Sequence, residues 1–357
     1  MKMDLILALL ASTTLLGSLP ALAETTAQAS NVQHLTGRCL DDSHRIDTDV
    51  NCEVSAVVNV GQQLFFASDK GIPGRDTSKV FSIGLPVSSE TAALSMDFNT
   101  LSYARGDLLG TAEKIEGLTK AVDTTGAAYV IATSAFTRAD NEASNRILYW
   151  PSEDAQRVKS LGDAMAIREQ IFAVVNAPFF QVEGISVAPG NTLLLGIRKQ
   201  GVNSQNFAPA FIILKAPFTL DNGQMQLTGP FTLAFEFTPY VAGNDRPLSL
   251  SGLEYDSFNN RLLATTSFEE ADVIGGYLWV LPMSLLGWKG STVPQVVLDP
   301  QGAPLKFANK PEGVEILSKT QVLIVHDDDR VQVADSEHGK SKKPNAFTYS
   351  LIELRDN

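Results

Sequence analysis

The chain has 357 residues, 44% hydrophobic and 19% charged, which supplies a large core and excludes a disordered chain. Its formal charge of -12 repels phosphate backbones and anionic headgroups, so nucleic acid is excluded as a partner. The basic run "KSKK" at 340–343 does not reverse that balance.

Residues 1–23 read as a signal peptide. Lys2 gives a short charged start, "LILALLASTTLLGSLP" an apolar core, and Ala21 to Ala23 the small-x-small form of a cleavage site. The core is too short and too rich in Ser and Thr for a membrane span, and no Cys follows it to carry a lipid. The mature chain, 24–357, is therefore expected in the periplasm or secreted, without membrane insertion. A buried N-terminal strand or helix is the structural alternative.

"NVQHLTGRC" (31–39) is strand-like and has no neighbouring strand in sequence. Cys39 and Cys52 follow, and an oxidising compartment allows them to pair. Such a bridge stabilises by roughly 3 kcal/mol in the chain-entropy model. The other reading makes them metal ligands with His44. "DTDVN" (47–51) opens like a calcium loop but lacks the Gly that should follow.

From there a unit recurs. "KIEGLTKAV" (114–122), "QVEGISVAP" (181–189) and "KPEGVEIL" (310–317) open apolar runs with Glu-Gly, and "LSGLEYD" (250–256) is a near copy. "CEVSAVVNV" (52–60) reads as the first copy, with Glu53 in the acid position and Val54 in place of Gly. The units start near 53, 116, 183, 251 and 312, a near-constant period that marks a repeat architecture. In each, a turn leads to a second run, such as "LFFAS" (64–68), "YVIAT" (129–133), "LLLGI" (193–197), "LLATT" (262–266) and "VLIVH" (322–326). These runs are short, rich in β-formers and apolar on both faces. Third strands follow at "KVFSIGL", "NRILYW", "AFIILKA", "GYLWVLP" and "FTYSLIEL", and fourth strands are expected at 172–177, 231–237 and 294–299. The fold class is all-β: a single propeller of five four-stranded blades. The last blade lacks a fourth strand, so residues 31–40 are expected to complete it and close the ring. The bridge would then tie that closing strand to blade 1.

The first strand of a propeller blade lies nearest the central channel, where Gly leaves room for neighbouring blades. Glu53, Glu116, Glu183 and Glu312 should stand round one mouth, and the second strands deliver Asp69, Arg198, Glu269 and Asp327 to the same rim. Converging carboxylates raise one another's pKa unless a cation compensates. Two readings stand. In one the acids satisfy neighbouring backbone or pair with Arg138 or Arg198; in the other they hold a metal or ligand. Glu183, Glu312 and Asp327 are the candidate ligands for calcium or another divalent ion. "HDDDR" (326–330) offers further oxygens, although such runs also serve as solvated loops. Nucleophile elbows, zinc-protease helices, phosphate loops and dinucleotide fingerprints are missing, and only four His occur: His34, His44, His326 and His338.

"KIEGLT" with "AAYVIATSAFTR", "QVEGIS" with "TLLLGIRK", and "KPEGVEIL" with "VLIVHDDDR" resemble a family of exported bacterial proteins of unknown function. That family is similar to the phytase-like propellers, sometimes described as esterase-like. The resemblance spans roughly 50–355; Val54 and Ser251 depart from its Glu-Gly pattern, and no catalytic residue is carried over. It implies a propeller, and two functions remain open. One is binding of a small ligand, metal or protein at the channel mouth. The other is divalent-metal-dependent hydrolysis of phosphate esters or lactones, in which Arg198 would orient an anionic group.

Overall fold

The structure is a computed structural model that describes residues 27–40, 52–69, 79–85, 96–270, 273–286, 294–327 and 345–356. The expected signal peptide, "DTDVN", His44, His338, "KSKK" and residues 328–330 lie outside them.

Five antiparallel sheets form a ring. Their inner strands are Val54–Val60, Ile115–Val122, Phe179–Ala188, Ser249–Asp256 and Pro311–Ile316. Each inner strand packs on those of the two adjacent blades, and the last packs on the first. This is the expected five-bladed propeller. Apolar runs with two dry faces follow from it, because alternate side chains enter different seams. In "LLLGI", Leu193, Leu195 and Ile197 pack against blade 2, while Leu194 packs against blade 4. In "VLIVH", Val322 and Ile324 face blade 4, while Leu323 and Val325 face blade 1. Five seams thus hold five apolar clusters.

The closing strand runs Ala27–Arg38, somewhat earlier than expected, and pairs antiparallel with Ala346–Asp356 as the outer strand of blade 5. Cys39 and Cys52 are bonded, with Cα atoms 5.8 Å apart and both residues fully buried. The bridge joins the closing strand to the start of blade 1, and the metal reading of this pair falls.

One strand expectation fails. Residues 172–175 end the helix Ala164–Val175, and the outer strand of blade 2 is Lys159–Ser160. Asp163 caps the helix by accepting the Ala166 N–H, and Asn176 ends it in the left-handed conformation. Ala164, Ile167, Arg168 and Ile171 form its buried face, a spacing of three and four that suits a helix and not a strand. The outer strand of blade 3 is shared between Gln224–Leu227 and the expected Thr232–Glu236; that of blade 4 between the expected Gln295–Val296 and Lys306–Phe307.

Near the axis the blades meet backbone to backbone. A Cβ on Gly252 would lie 2.0 Å from the Glu312 carbonyl oxygen of the next blade, and one on Gly313 2.7 Å from Ala56 Cα. Gly84, on a third strand, has nothing within 4 Å. Gly252→Ala is expected to lower the urea midpoint by an amount worth about 1–3 kcal/mol or more, from forced overpacking. Gly84→Ala should stay within about 0.5 kcal/mol of wild type, as surface changes do. Equal midpoints for the two variants would refute the close-approach account.

Candidate functional site

The Glu-Gly pair marks a fault in pairing. In blade 2, Ile115 pairs with Ser134 and Gly117 with Thr133, so Glu116 is an extra residue on the inner strand. The same slip leaves Glu183 extra in blade 3, Ser251 in blade 4 and Ser55 in blade 1. Blade 5 slips between Pro311 and Val314, at Glu312. Each slip is a β-bulge, which re-aims a side chain that regular pleating would direct elsewhere. Blade 3 carries a second slip, between Gln181–Lys199 and Val182–Ile197, that leaves Arg198 extra on the second strand.

The bulges correct the first repeat. Ser55, not Glu53, takes the position of the other acids. The Ser55 hydroxyl donates to the Ile115 carbonyl at 2.7 Å, as the Ser251 hydroxyl does to the Pro311 carbonyl at 2.7 Å. Glu53 instead matches Lys310: its carbonyl accepts the Asp69 N–H at 2.9 Å, as that of Lys310 accepts the Asp327 N–H at 3.1 Å. Glu53 is buried and does not line the mouth cavity. The ring of bulged residues reads Ser, Glu, Glu, Ser, Glu.

The cavity has a volume of about 380 Å³. Glu116, Glu183, Glu312, Asp69, Arg198, Glu269 and Asp327 all line it. Glu116, Glu183 and Glu312 are buried, and one carboxylate oxygen from each lies within 4.8 Å of the others. Asp327 is close by but engaged by Lys310 at 3.3 Å, and Glu269 sits on the exposed rim, 3.8 Å from Arg198. His326 turns away from the cavity: its Nε2 lies 2.7 Å from Ser350 Oγ, and burial pushes its pKa down to about 3. Arg138 pairs with Glu113, not with the ring.

Basic side chains interleave the acids. Arg198 Nη1 donates to Glu183 at 2.9 Å and to Glu312 at 3.3 Å. Lys310 Nζ is 2.9 Å from Glu312, Lys114 Nζ is 3.4 Å from Glu116 and 3.2 Å from Asp69, and the Gln181 amide donates to Glu183. Lys114, Gln181 and Lys310 were missed, although each stands two residues before its Glu in the quoted motifs. Thr137, Phe179, Lys199, Ser204 and Phe207 complete the lining without a motif.

Two features mark this mouth as more than packing. Among the described residues, the non-glycine positions with left-handed φ are four asparagines, Lys114 at 52° and Phe136 at 58°. Lys114 lines the cavity and Phe136 precedes Thr137, which does too. Strain of this kind, of order 1–3 kcal/mol per residue, gathers at functional sites. The second feature is electrostatic. Burial first, then Glu183 and Asp69, raise the Glu116 pKa well above its usual value, with Lys114 opposing. Burial likewise raises Glu312, to about 8; Lys310 and Arg198 oppose, while Glu183 and Asp327 add. Burial works against the charges of Lys310 and Arg198, but neighbouring carboxylates more than offset it and hold both protonated.

No family model matches the chain, and no curated relative is similar to it. Solved structures are similar at low identity. PhoX of Pseudomonas fluorescens, in complex with the transition-state analogue vanadate, is 11% identical with a TM-score of 0.43, over 92% of this chain and 75% of that one. The PQQ-bound aldose sugar dehydrogenase of Streptomyces coelicolor is 10% identical with a TM-score of 0.34, over 92% and 100%. The catalytic domain of the GH62 α-L-arabinofuranosidase of Coprinopsis cinerea is 11% identical with a TM-score of 0.42, over 92% and 97%. Likeness at this level carries no argument about chemistry.

The raised Glu312 pKa sets a pH dependence. The folded protein keeps that proton up to about pH 8, whereas the unfolded chain releases it near the usual 4.5. The stabilisation is full below the lower value and is lost as pH rises through the upper one. With chelator present, the melting temperature should fall between about pH 5 and about pH 9, and fall less steeply for Glu312→Gln. Identical slopes for the two proteins would refute the assignment.

Proposed function

We propose that this propeller binds a small ligand at its channel mouth, with one hard divalent cation held by Glu116, Glu183 and Glu312. The observation that carries the reading is the convergence of three buried carboxylates within 4.8 Å. Charge supports it: six carboxylates and four cationic side chains line the cavity, leaving two negative charges when all are ionised. One divalent ion or two protons cancel them. Burial raises two acids, Glu116 and Glu312, so the proton form and the ion form are alternatives.

The donor set fits such an ion. Glu116 and Glu312 meet their basic partners through Oε1 alone, which leaves Oε2 of each for a ligand bond. All three are oxygen donors without Cys or His, the preference of calcium or magnesium over softer metals. Bound there, the ion would supply Lewis-acid polarisation of an oxygen ligand. The chain's own groups do the rest: Arg198 holds Glu183 and Glu312 in register, and Lys114 and Lys310 anchor the other edges. The second reading, a metal-dependent hydrolase of phosphate esters or lactones, draws on a different observation. Glu312 has a pKa near 8 inside an open cavity, so it holds a donatable proton near neutral pH.

A periplasmic or secreted location is part of the proposal. The Cys39–Cys52 bridge supports it.

Millimolar calcium or magnesium should raise the melting temperature and a chelator should reverse the rise, by about 2.7 kcal/mol at one hundred times Kd. The rise should be larger at about pH 8 than at about pH 6, because fewer protons must leave. Glu183→Gln should abolish it. A curve indifferent to metal and chelator at both pH values would sink the cation site. Turnover of an aryl phosphate or a lactone, lost in Glu183→Gln, would select the hydrolase reading.

A further inference from the structure

Among the described residues, the inner strand of blade 3 reaches furthest past its bulge at the mouth. It starts at Phe179, four residues before the bulged Glu183, whereas the others start at most two residues before theirs. The second and third strands, Thr192–Asn203 and Asn206–Asp221, rise with it as a hairpin. The extension is built, not frayed. Phe179 pairs with Gly201, and Gly201 with Phe207. A Cβ on Gly201 would lie 2.4 Å from the Asn206 carbonyl oxygen, and Asn203 Oδ1 accepts the N–H groups of Gln205 and Asn206 at 2.9 Å each. The buried guanidinium of Arg168 secures its root, donating to the carbonyls of Phe136 at 2.6 Å and Pro178 at 3.1 Å.

This wall gives the cavity what its charged floor lacks. Phe179 and Phe207 stand with ring centroids 6.0 Å apart, and Lys199 Nζ lies 4.7 Å from the Phe207 centroid. All three line the cavity, with Ser204 at the hairpin tip. Phe207 is 39% exposed, so the fold leaves apolar surface open at the lip of a polar site. Lys199 differs from its neighbours: Lys114, Arg198 and Lys310 are paired with carboxylates, and among the described residues no carboxylate forms an ion pair with Lys199. Burial, then the nearby Arg198, lowers its pKa, and the Glu183 and Glu269 carboxylates offset this only in part.

We propose that the blade 3 wall is a subsite for a small organic anion carrying a planar apolar group, an aryl carboxylate or aryl phosphate. The anion would pair directly with Lys199, and the ring would cover the open part of Phe207. A neutral sugar would stack but form no ion pair with Lys199. A cavity of about 380 Å³ accommodates a molecule of that size and not a folded partner. The proposal rests on the reading of this mouth as a ligand site but not on the cation.

Calorimetric titration with phenyl phosphate, benzoate, inorganic phosphate and benzyl alcohol, with calcium and with chelator, tests it. Phenyl phosphate or benzoate should bind about tenfold or more tightly than inorganic phosphate or benzyl alcohol, which lack the ring or the charge. The phosphate and carboxylate arms show which anion is preferred. Phe207→Ala should lose most of the advantage over inorganic phosphate, and Lys199→Gln most of the advantage over benzyl alcohol. Phe207→Leu keeps an apolar side chain on the hairpin without the planar face, so its loss of selectivity separates ring recognition from a collapsed hairpin. Binding of the aryl anions should persist in chelator. Failure of the cation site therefore leaves this result standing. Equal binding of phenyl phosphate and inorganic phosphate, selectivity unchanged in Phe207→Ala and Phe207→Leu, or no aryl-anion binding at millimolar concentration would each overturn the subsite.

Discussion

The distance at which neighbouring inner strands meet controls most of this molecule. Five sheets that share one axis must bring backbone against backbone there, and a side chain at those points would meet a carbonyl or a Cα. A small residue removes the obstruction but does not direct anything into the channel. The bulge does so. One extra residue on the inner strand turns its side chain toward the axis, while the small residue behind it accepts the neighbouring blade. Packing and display are thus two results of one irregularity. Where the bulged residue is Ser55 or Ser251, it donates to the next blade's backbone and seals a seam. Where it is Glu, the carboxylate cannot donate and meets basic side chains instead.

That substitution has an electrostatic cost. Carboxylates brought this close and removed from water cannot all ionise without compensation. The protein compensates locally, with cations on the same strands and one guanidinium spanning two blades. Arg198 reaches Glu183 of its own blade and Glu312 two blades away, and a bulge of its own puts it there. The mouth therefore links blades across the channel through ions as well as through apolar seams. Its residual negative charge is reduced by the protons that burial favours on Glu116 and Glu312.

Much of this was legible in the sequence, and the gaps have physical causes. The blade count, the closing strand and the disulfide followed from period, β-propensity and a missing last strand. The acid ring followed for Glu116, Glu183 and Glu312 because Glu-Gly is a conspicuous pair. It failed for Glu53 because "CEVSA" contains two candidates two residues apart, and only hydrogen-bond register separates them. Ser55-Ala56 is the same solution as Ser251-Gly252, with Ala in place of Gly. Lys114, Gln181 and Lys310 stood in plain view two residues before each acid, but the irregular backbone that turns them toward it has no sequence mark. The helix Ala164–Val175 had a readable cap at Asp163 and a spacing of three and four, but its Val-rich end mimics a strand. Phe179 and Phe207 carried no signal, because what matters about them is how far a hairpin overshoots its sheet.

The closing strand has a consequence for the order in which the ring is made. Blades 1 to 4 are assembled from strands adjacent in sequence, so their sheets can form as the chain is synthesised. Blade 5 cannot, because Ala27 pairs with Asp356 and Arg38 with Ala346. Its outer strand must wait, unpaired, through the whole length of the intervening chain. Pairings of such sequence separation are slow to form, and an unpaired strand is exposed to competing partners meanwhile. The step that completes the propeller is therefore its most non-local one, and the mouth, whose carboxylates come from all five blades, is assembled only when that step is done.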